Sequence, residues 1–369
     1  MIPGLDGLRA VAFLTLFALH AEWLQFGWMG VQLFFVLSGF LITDILLRMK
    51  EKLSFKEYLA KFYIRRFLRI FPLYYFFLLV MLGISTYFIS TNYKTTVMQV
   101  YIDQIGYAFL YIYNFFAAHI NFQPSPLIKH LWSLSVEEQF YIFWPLLIFF
   151  TPAKYIKQLF TVGIILGPLF RLSFFILYEL ADFQFLRTPF STALYSLPFT
   201  HIDAFAFGAY ISRFSISKAK EQLKYLTIAI PIIGFGTHYL ATGEFDTLSA
   251  LGYPNTMPHA YQFIWAYTLL NYWCAVIIYC VVKEKMFLKF LETAPLRYLG
   301  KISYGLYIYH FPMLWFAIRI RDIGFEKASH FQFDFLAFVG TILIASLSYY
   351  LLEKPFIQMK DRFASYAQT

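Results

Sequence analysis

Arg9 and His20 lie eleven residues apart in the first apolar segment of a 369-residue chain. The segment reads Gly7-Leu8-Arg9, then ten mostly apolar residues, then His20. In a helix, eleven residues rise roughly 16 Å over about three turns. Eleven steps of about 100° return to nearly the same azimuth, so both side chains would share one face. A cation would then stand near an entrance, with a titratable imidazole deeper on the same track. Ionisable groups in a membrane span are costly and mark sites or pathways. Two other readings stand beside this one: Arg9 as a positive-inside anchor and His20 as a hydrogen-bonded interfacial residue.

Three further groups carry chemistry. The string Trp132-Ser133-Leu134-Ser135-Val136-Glu137-Glu138-Gln139-Phe140-Tyr141 follows His130 and puts two adjacent carboxylates at the mouth of a span. They would complement a helix dipole, or one of them would orient and charge-balance His20 in general-base chemistry. Adjacent helical residues point about 100° apart, so only one can face the bundle centre. Arg66-x-x-Arg69-x-x-Pro72, with Arg65 alongside, sets two arginines on one helical face and a proline suited to the first turn of the next span. Arginine forks match phosphate oxygens, although the same residues serve equally as topological charge. Ser38-Gly39 in mid-span would let a neighbouring helix or a ligand approach closely. Asp203, in His201-x-Asp203-Ala204, and His310, in the string from Ser303 that also holds Tyr307, lie inside apolar segments and require partners. Glu353-Lys354-Pro355 is a lesser signal.

The elements that must position these groups are membrane helices. Hydrophobic residues make up 60% of the chain and charged residues 14%, leaving no soluble domain of useful size. Apolar runs recur near spanning length, at about 8–25, 28–47, 71–90, 134–151, 158–180, 193–212, 225–241, 261–282, 302–318 and 332–352. The first is read as a retained span rather than a signal peptide, because no A-x-A pattern follows His20. The net charge of +9 sits in inter-helix segments, which argues for loop topology and anionic lipid and against nucleic acid. Lysines and arginines crowd 48–69, 213–224, 283–301 and the region after the last span, including Lys354, Lys360 and Arg362, whereas 242–260 has neither. Placing every basic stretch inside predicts an all-α bundle of about ten spans with both termini cytoplasmic, in a plasma or inner membrane. The apolar segment 100–118 then has to be re-entrant or interfacial, and Arg319 and Arg321 fall outside. Cys274 and Cys280 are six apart, about 240° around a helix, so they do not face each other, and no disulfide or metal site follows.

Taken together, these segments resemble the membrane acyltransferase-3 family, whose members O-acylate sugars and other extracytoplasmic acceptors. The likeness runs from Gly4-Leu5-Asp6-Gly7-Leu8-Arg9 to Glu353-x-Pro355. It is carried by the Arg9-to-His20 spacing, Val31-x-x-Phe34-Phe35-x-x-Ser38-Gly39-Phe40, Arg66-x-x-Arg69 and the Trp132-to-Tyr141 string. It departs at His201, where relatives often carry arginine. The resemblance implies one transmembrane acyltransferase domain over 1–369, a ten-span core, acyl-CoA (usually acetyl-CoA) as cytoplasmic donor, and a requirement for both Arg9 and His20. The chain reads as a stand-alone member without a fused esterase-like domain.

On that basis His20 is expected as general base, with Glu137, or Glu138 as second choice, fixing its tautomer. An acyl-histidine intermediate is the variant. Arg9, Arg65, Arg66 and Arg69 are expected on the phosphates of CoA, and Ser38 or Tyr307 on the developing oxyanion. Trp132, Asp203, Tyr307 and His310 are expected to contact substrate or hold structure. The acceptor class is a carbohydrate or glycolipid hydroxyl. A transporter or flippase for a lipid-linked substrate is the competing class; it would not require acyl-CoA, and no internal repeat supports it.

Overall fold

The computed structural model describes residues 2–180, 185–186, 190–255, 257, 259–325 and 329–363, with side chains as far as 359. The Lys360 and Arg362 side chains of the charge argument lie outside it. In chain order the helices are α1 (Leu5–His20), α2 (Met29–Lys50), α3 (Phe55–Ser90), α4 (Thr95–Phe109), α5 (Tyr113–Ala118), α6 (Trp132–Phe150), α7 (Ile156–Leu180), α8 (Phe190–Ser196), α9 (Ile202–Arg213), α10 (Ala219–Thr242), α11 (Gln262–Val282), α12 (Leu288–Leu291), α13 (Ala294–Lys301), α14 (Ser303–Gly324), α15 (His330–Ser348) and α16 (Lys354–Phe363). Among the described residues there is no strand, only an isolated bridge between His119 and Leu186.

Among the described residues, six helical stretches are long and apolar enough to cross a bilayer: Gln25–Lys50, Phe55–Ser90, Ala153–Leu180, Ala219–Thr242, Gln262–Val282 and His330–Met359. The protein is therefore an all-helical, multi-pass membrane protein. Other expected spans depart from that pattern in identifiable ways. Helix α1 has only 16 residues, and α6 carries the polar run Glu137-Glu138-Gln139 from its second turn. Helix α14 ends in charge, but Arg319 and Arg321 both pair with Asp322, at 3.1 and 3.0 Å.

Two local expectations, over 48–72 and 193–212, need correction. The basic stretch 48–69 is mostly helix, not loop. Ser54 and Glu57 form a reciprocal capping box that starts α3 at Phe55, the pairing that satisfies two orphan donors at a helix start. Pro72 consequently sits inside α3 rather than at the start of a span, where it removes one intrahelical bond. The segment 193–212 is not one helix. Pro198 pushes Leu197 into extended backbone, and a 3₁₀ turn over Pro198–His201 separates α8 from α9. The 100–118 segment is a helix–turn–helix, α4 and α5, broken where Tyr111 adopts φ 53°.

The chain forms two compact units, each assembled from several segments. The first comprises the residues up to Leu47, Ala117–Phe122 and Val136–Gly300. In it, α2 and α9 meet backbone to backbone. A Cβ on Gly39 would lie 2.1 Å from the Phe205 carbonyl oxygen, and one on Gly208 would lie 2.0 Å from that of Val36. The stretch after α10 folds back over the turn between α1 and α2: Ser249 accepts from the Phe26 amide at 2.7 Å, and Tyr253 accepts from the Trp28 indole at 3.0 Å. The second unit comprises Arg48–Phe116, Gln123–Ser135 and the residues from Lys301 onward. Buried tyrosines tie its helices together, Tyr74 to the Ala108 carbonyl (2.9 Å) and Tyr101 to that of Leu78 (2.6 Å).

Candidate active site

Helix α1 carries Arg9 in its second turn and His20 as its last residue. Its start is held firmly. Gly4 caps it with φ 83°, and the Gly4 amide donates to Glu292. Gly7 lies so close to Leu291 that a Cβ would come within 2.3 Å of its carbonyl oxygen, and Gly300 packs equally tightly on Asp6. Arg9 pairs with Asp6 at 2.6 Å, both side chains largely withdrawn from solvent. His20 was expected within a span ending near 25. The helix instead stops at His20, Glu22 turns through φ 61°, and the imidazole is half-buried at the helix C-terminus.

Ser38 of α2 donates to Glu137 Oε1 of α6 at 2.7 Å, and the Tyr141 hydroxyl lies 3.2 Å from the same serine oxygen. Glu137 is half-buried while Glu138 is buried, so the two neighbours occupy different settings, as their angular separation requires. A serine has one hydroxyl hydrogen. With it directed at Glu137, the oxyanion role expected for Ser38 would require the hydroxyl to turn away. Tyr141 was quoted in the motif but given no role; its place four residues after Glu137, one helical turn on, is the signal that could have found it.

In the second unit, Arg65 and Arg66 are half-buried and Arg69 is exposed, all on α3. The Arg66 guanidinium lies 5.9 Å from the centre of the Phe62 ring. These arginines extend a membrane helix rather than hang on a loop, so their spacing is rigid.

The same unit brings His130, Ser133, Tyr307 and His310 together. Tyr307 donates to the His130 carbonyl at 2.9 Å and is hydrogen-bonded to Ser133. His310 Nδ1 sits 2.6 Å from the Tyr307 carbonyl oxygen. The His130 ring stacks on Phe311 at 4.8 Å and lies 5.0 Å from His310. Burial holds the His130 imidazole well below its ordinary pKa, and His310 pushes the same way. Trp132, which starts α6, is half-buried. Tyr307 thus spends its hydrogen on a backbone carbonyl, which favours a structural part over an oxyanion contact.

Asp203 has the partner its position demands. It is fully buried and accepts from Arg171 of α7 (2.8 and 3.2 Å), from Thr268 (2.7 Å) and from Asn271 (3.2 Å). Arg171 also donates to the carbonyls of Ile264 (2.9 Å) and Thr200. Every charged atom is matched, as a buried pair in a low-dielectric interior needs. The sequence reading missed Arg171, although a lone arginine midway through an apolar run is itself the signal. His201, the departure from the family pattern, bridges Gln32 (3.2 Å) and the Tyr195 carbonyl (2.9 Å).

A family model described as "Acyltransferase domain" matches residues 2–350. The chain is 31% identical to YrhL of Bacillus subtilis over 96% of its length and 54% of that protein's. It is 31% identical to the peptidoglycan O-acetyltransferase OatA of Listeria monocytogenes, covering 99% of this chain and 57% of the relative. The O-acetyltransferase OatA of Staphylococcus aureus matches at 31% over 96% of this chain and 57% of its own. The chain thus spans about half the length of the curated relatives it matches. No solved structure matches it. With the family model covering nearly all of the chain and its motifs standing on the elements just described, the protein belongs to the membrane acyltransferase-3 family.

Proposed function

We propose that the protein is a membrane O-acetyltransferase that moves an acetyl group from cytoplasmic acetyl-CoA to a hydroxyl of an extracytoplasmic cell-wall carbohydrate. The observation that carries this reading is α1 itself. One short, firmly anchored helix bears an arginine near its start and an imidazole at its end, roughly 16 Å apart at helical rise. The acceptor class follows the three relatives, all named as O-acetyltransferases, the Listeria protein as one of peptidoglycan and YrhL as a putative one of peptidoglycan.

In this scheme His20 takes the proton from the acceptor hydroxyl as its oxygen attacks the thioester carbonyl. The C–S bond breaks, the CoA thiolate leaves, and the proton passes to it. Glu137, held by Ser38, is assigned the task of fixing the imidazole tautomer and balancing imidazolium. Glu138 is the alternative carboxylate. Contacts to donor phosphates are assigned to Arg65, Arg66 and Arg69, and Arg9 marks the entrance end of the His20 helix. The same steps run in two stages if His20 is acylated first.

The test is transfer of label from radiolabelled acetyl-CoA by membranes holding the wild type, His20→Ala or Arg9→Ala at matched expression. Label entering a polysaccharide or glycolipid fraction with the wild type alone supports the reading. If the purified protein neither transfers from nor binds acetyl-CoA, the scheme fails and a transporter becomes the better account.

A further inference from the structure

Glu353 is 5% exposed, and its Oε1 has no hydrogen-bond partner. It ends a single π-helical turn, Tyr349–Glu353, between α15 and α16. Such turns inside helices are frequent at functional sites. Facing it on α14 is Gly305, where a Cβ would come within 3.2 Å of that same Oε1 and 3.2 Å of the Ala345 Cβ. The glycine leaves room beside the orphaned oxygen that any side chain would begin to fill. Among the described residues Glu353 forms no ion pair with Arg69 of α3. Tyr304 donates to the Ile70 carbonyl at 3.0 Å, tying α14 to α3 one residue beyond Arg69.

A buried carboxylate oxygen without a donor is costly, so something that brings an N–H or O–H to it would be welcomed. Among the parts of acyl-CoA, phosphates only accept and would be repelled, and an adenine ring needs a wide slot. The pantetheine arm is a thin chain with two amide N–H groups, joined directly to the pyrophosphate. We propose that Glu353 Oε1 accepts a hydrogen bond from a pantetheine amide of the acyl donor, beside a donor phosphate held by Arg69. This rests on the acetyl-CoA reading above. It makes Glu353 a donor-binding residue and Gly305 the residue that keeps its approach open.

The experiment compares steady-state transfer from acetyl-CoA and from S-acetyl-pantetheine, which keeps the amides and lacks the nucleotide. The full chain is assayed as wild type, Glu353→Met, Glu353→Gln, Gly305→Ala and Arg69→Gln, with thermal melting alongside. Glu353→Met should raise KM for both donors roughly tenfold or more, the scale of a hydrogen bond to a charged group. Glu353→Gln, which retains an acceptor oxygen, should raise both less. Arg69→Gln should raise KM for acetyl-CoA alone. Unchanged KM for S-acetyl-pantetheine in Glu353→Met overturns the proposal and leaves Glu353 at most a counter-charge for Arg69. If that variant does not fold, Gly305→Ala decides: it should raise KM for both donors with the charge intact, and unchanged values overturn the proposal. A wild type that turns over neither donor and binds no acetyl-CoA sinks the donor reading and this inference together, whereas normal wild-type turnover with unaffected variants sinks this inference alone.

Discussion

Ser38 donates its hydroxyl hydrogen to Glu137 over 2.7 Å, although 99 positions separate the two in the chain. The contact fixes how a carboxylate at the head of α6 presents its oxygens. Gly39, the next residue, lets α2 lie directly on the backbone of α9. Packing and chemistry are thus set by adjacent residues of one helix whose directions differ by about 100°.

If Glu137 supports the general base, Ser38→Ala should lower kcat by roughly tenfold, the scale of one hydrogen bond to a charged group, with KM for the donor little changed. Glu137→Gln should cost more. A Ser38→Ala enzyme with wild-type kcat would remove Ser38 from the orientation argument.

His20→Ala should reduce transfer by about 10²–10⁴-fold, the usual contribution of a positioned acid–base group. Because His20 ends α1 instead of sitting in its core, the melting temperature in detergent should stay close to that of the wild type. A large drop in melting temperature would show that His20 holds structure instead.

Arg171→Met should destabilise the protein by about 3–5 kcal/mol, since it strands a buried carboxylate. Asp203→Asn should cost less, because its amide can still bond Arg171 and Thr268. Thermal unfolding in detergent reads both. If Arg171→Met melts like the wild type, the buried pair does not stabilise the first unit.

Gly39→Ala should cost about 1–3 kcal/mol, the range for overpacking, because its Cβ would press on the backbone of Phe205 rather than on a movable side chain. Gly236, which has nothing within 4 Å, is the control: Gly236→Ala should leave unfolding unchanged or slightly raise it.

Helical class, membrane residence and family were legible because they are written in long apolar runs and in short strings of unusual residues. Arg66 and Arg69 were rightly placed on one helical face. What failed was continuity. Charge from Arg48 to Arg69 suggested a loop, but Ser54 and Glu57 cap a helix whose charged first turns need no bilayer. Apolar composition over 193–212 suggested one span, while Pro198 decides the backbone there. Arg171 escaped notice because its partner is 32 positions away, a pairing no local pattern announces. The partner needed by Asp203 could be inferred to exist but not named.

Since Arg9 and His20 share one rod, their separation behaves as a ruler. A single residue inserted between them would keep both side chains yet swing His20 by about 100° and shift it about 1.5 Å along the axis. Four inserted residues would nearly restore its direction while carrying it about one turn farther from the anchored start. Length, independent of residue identity, is therefore a quantity that this helix holds constant.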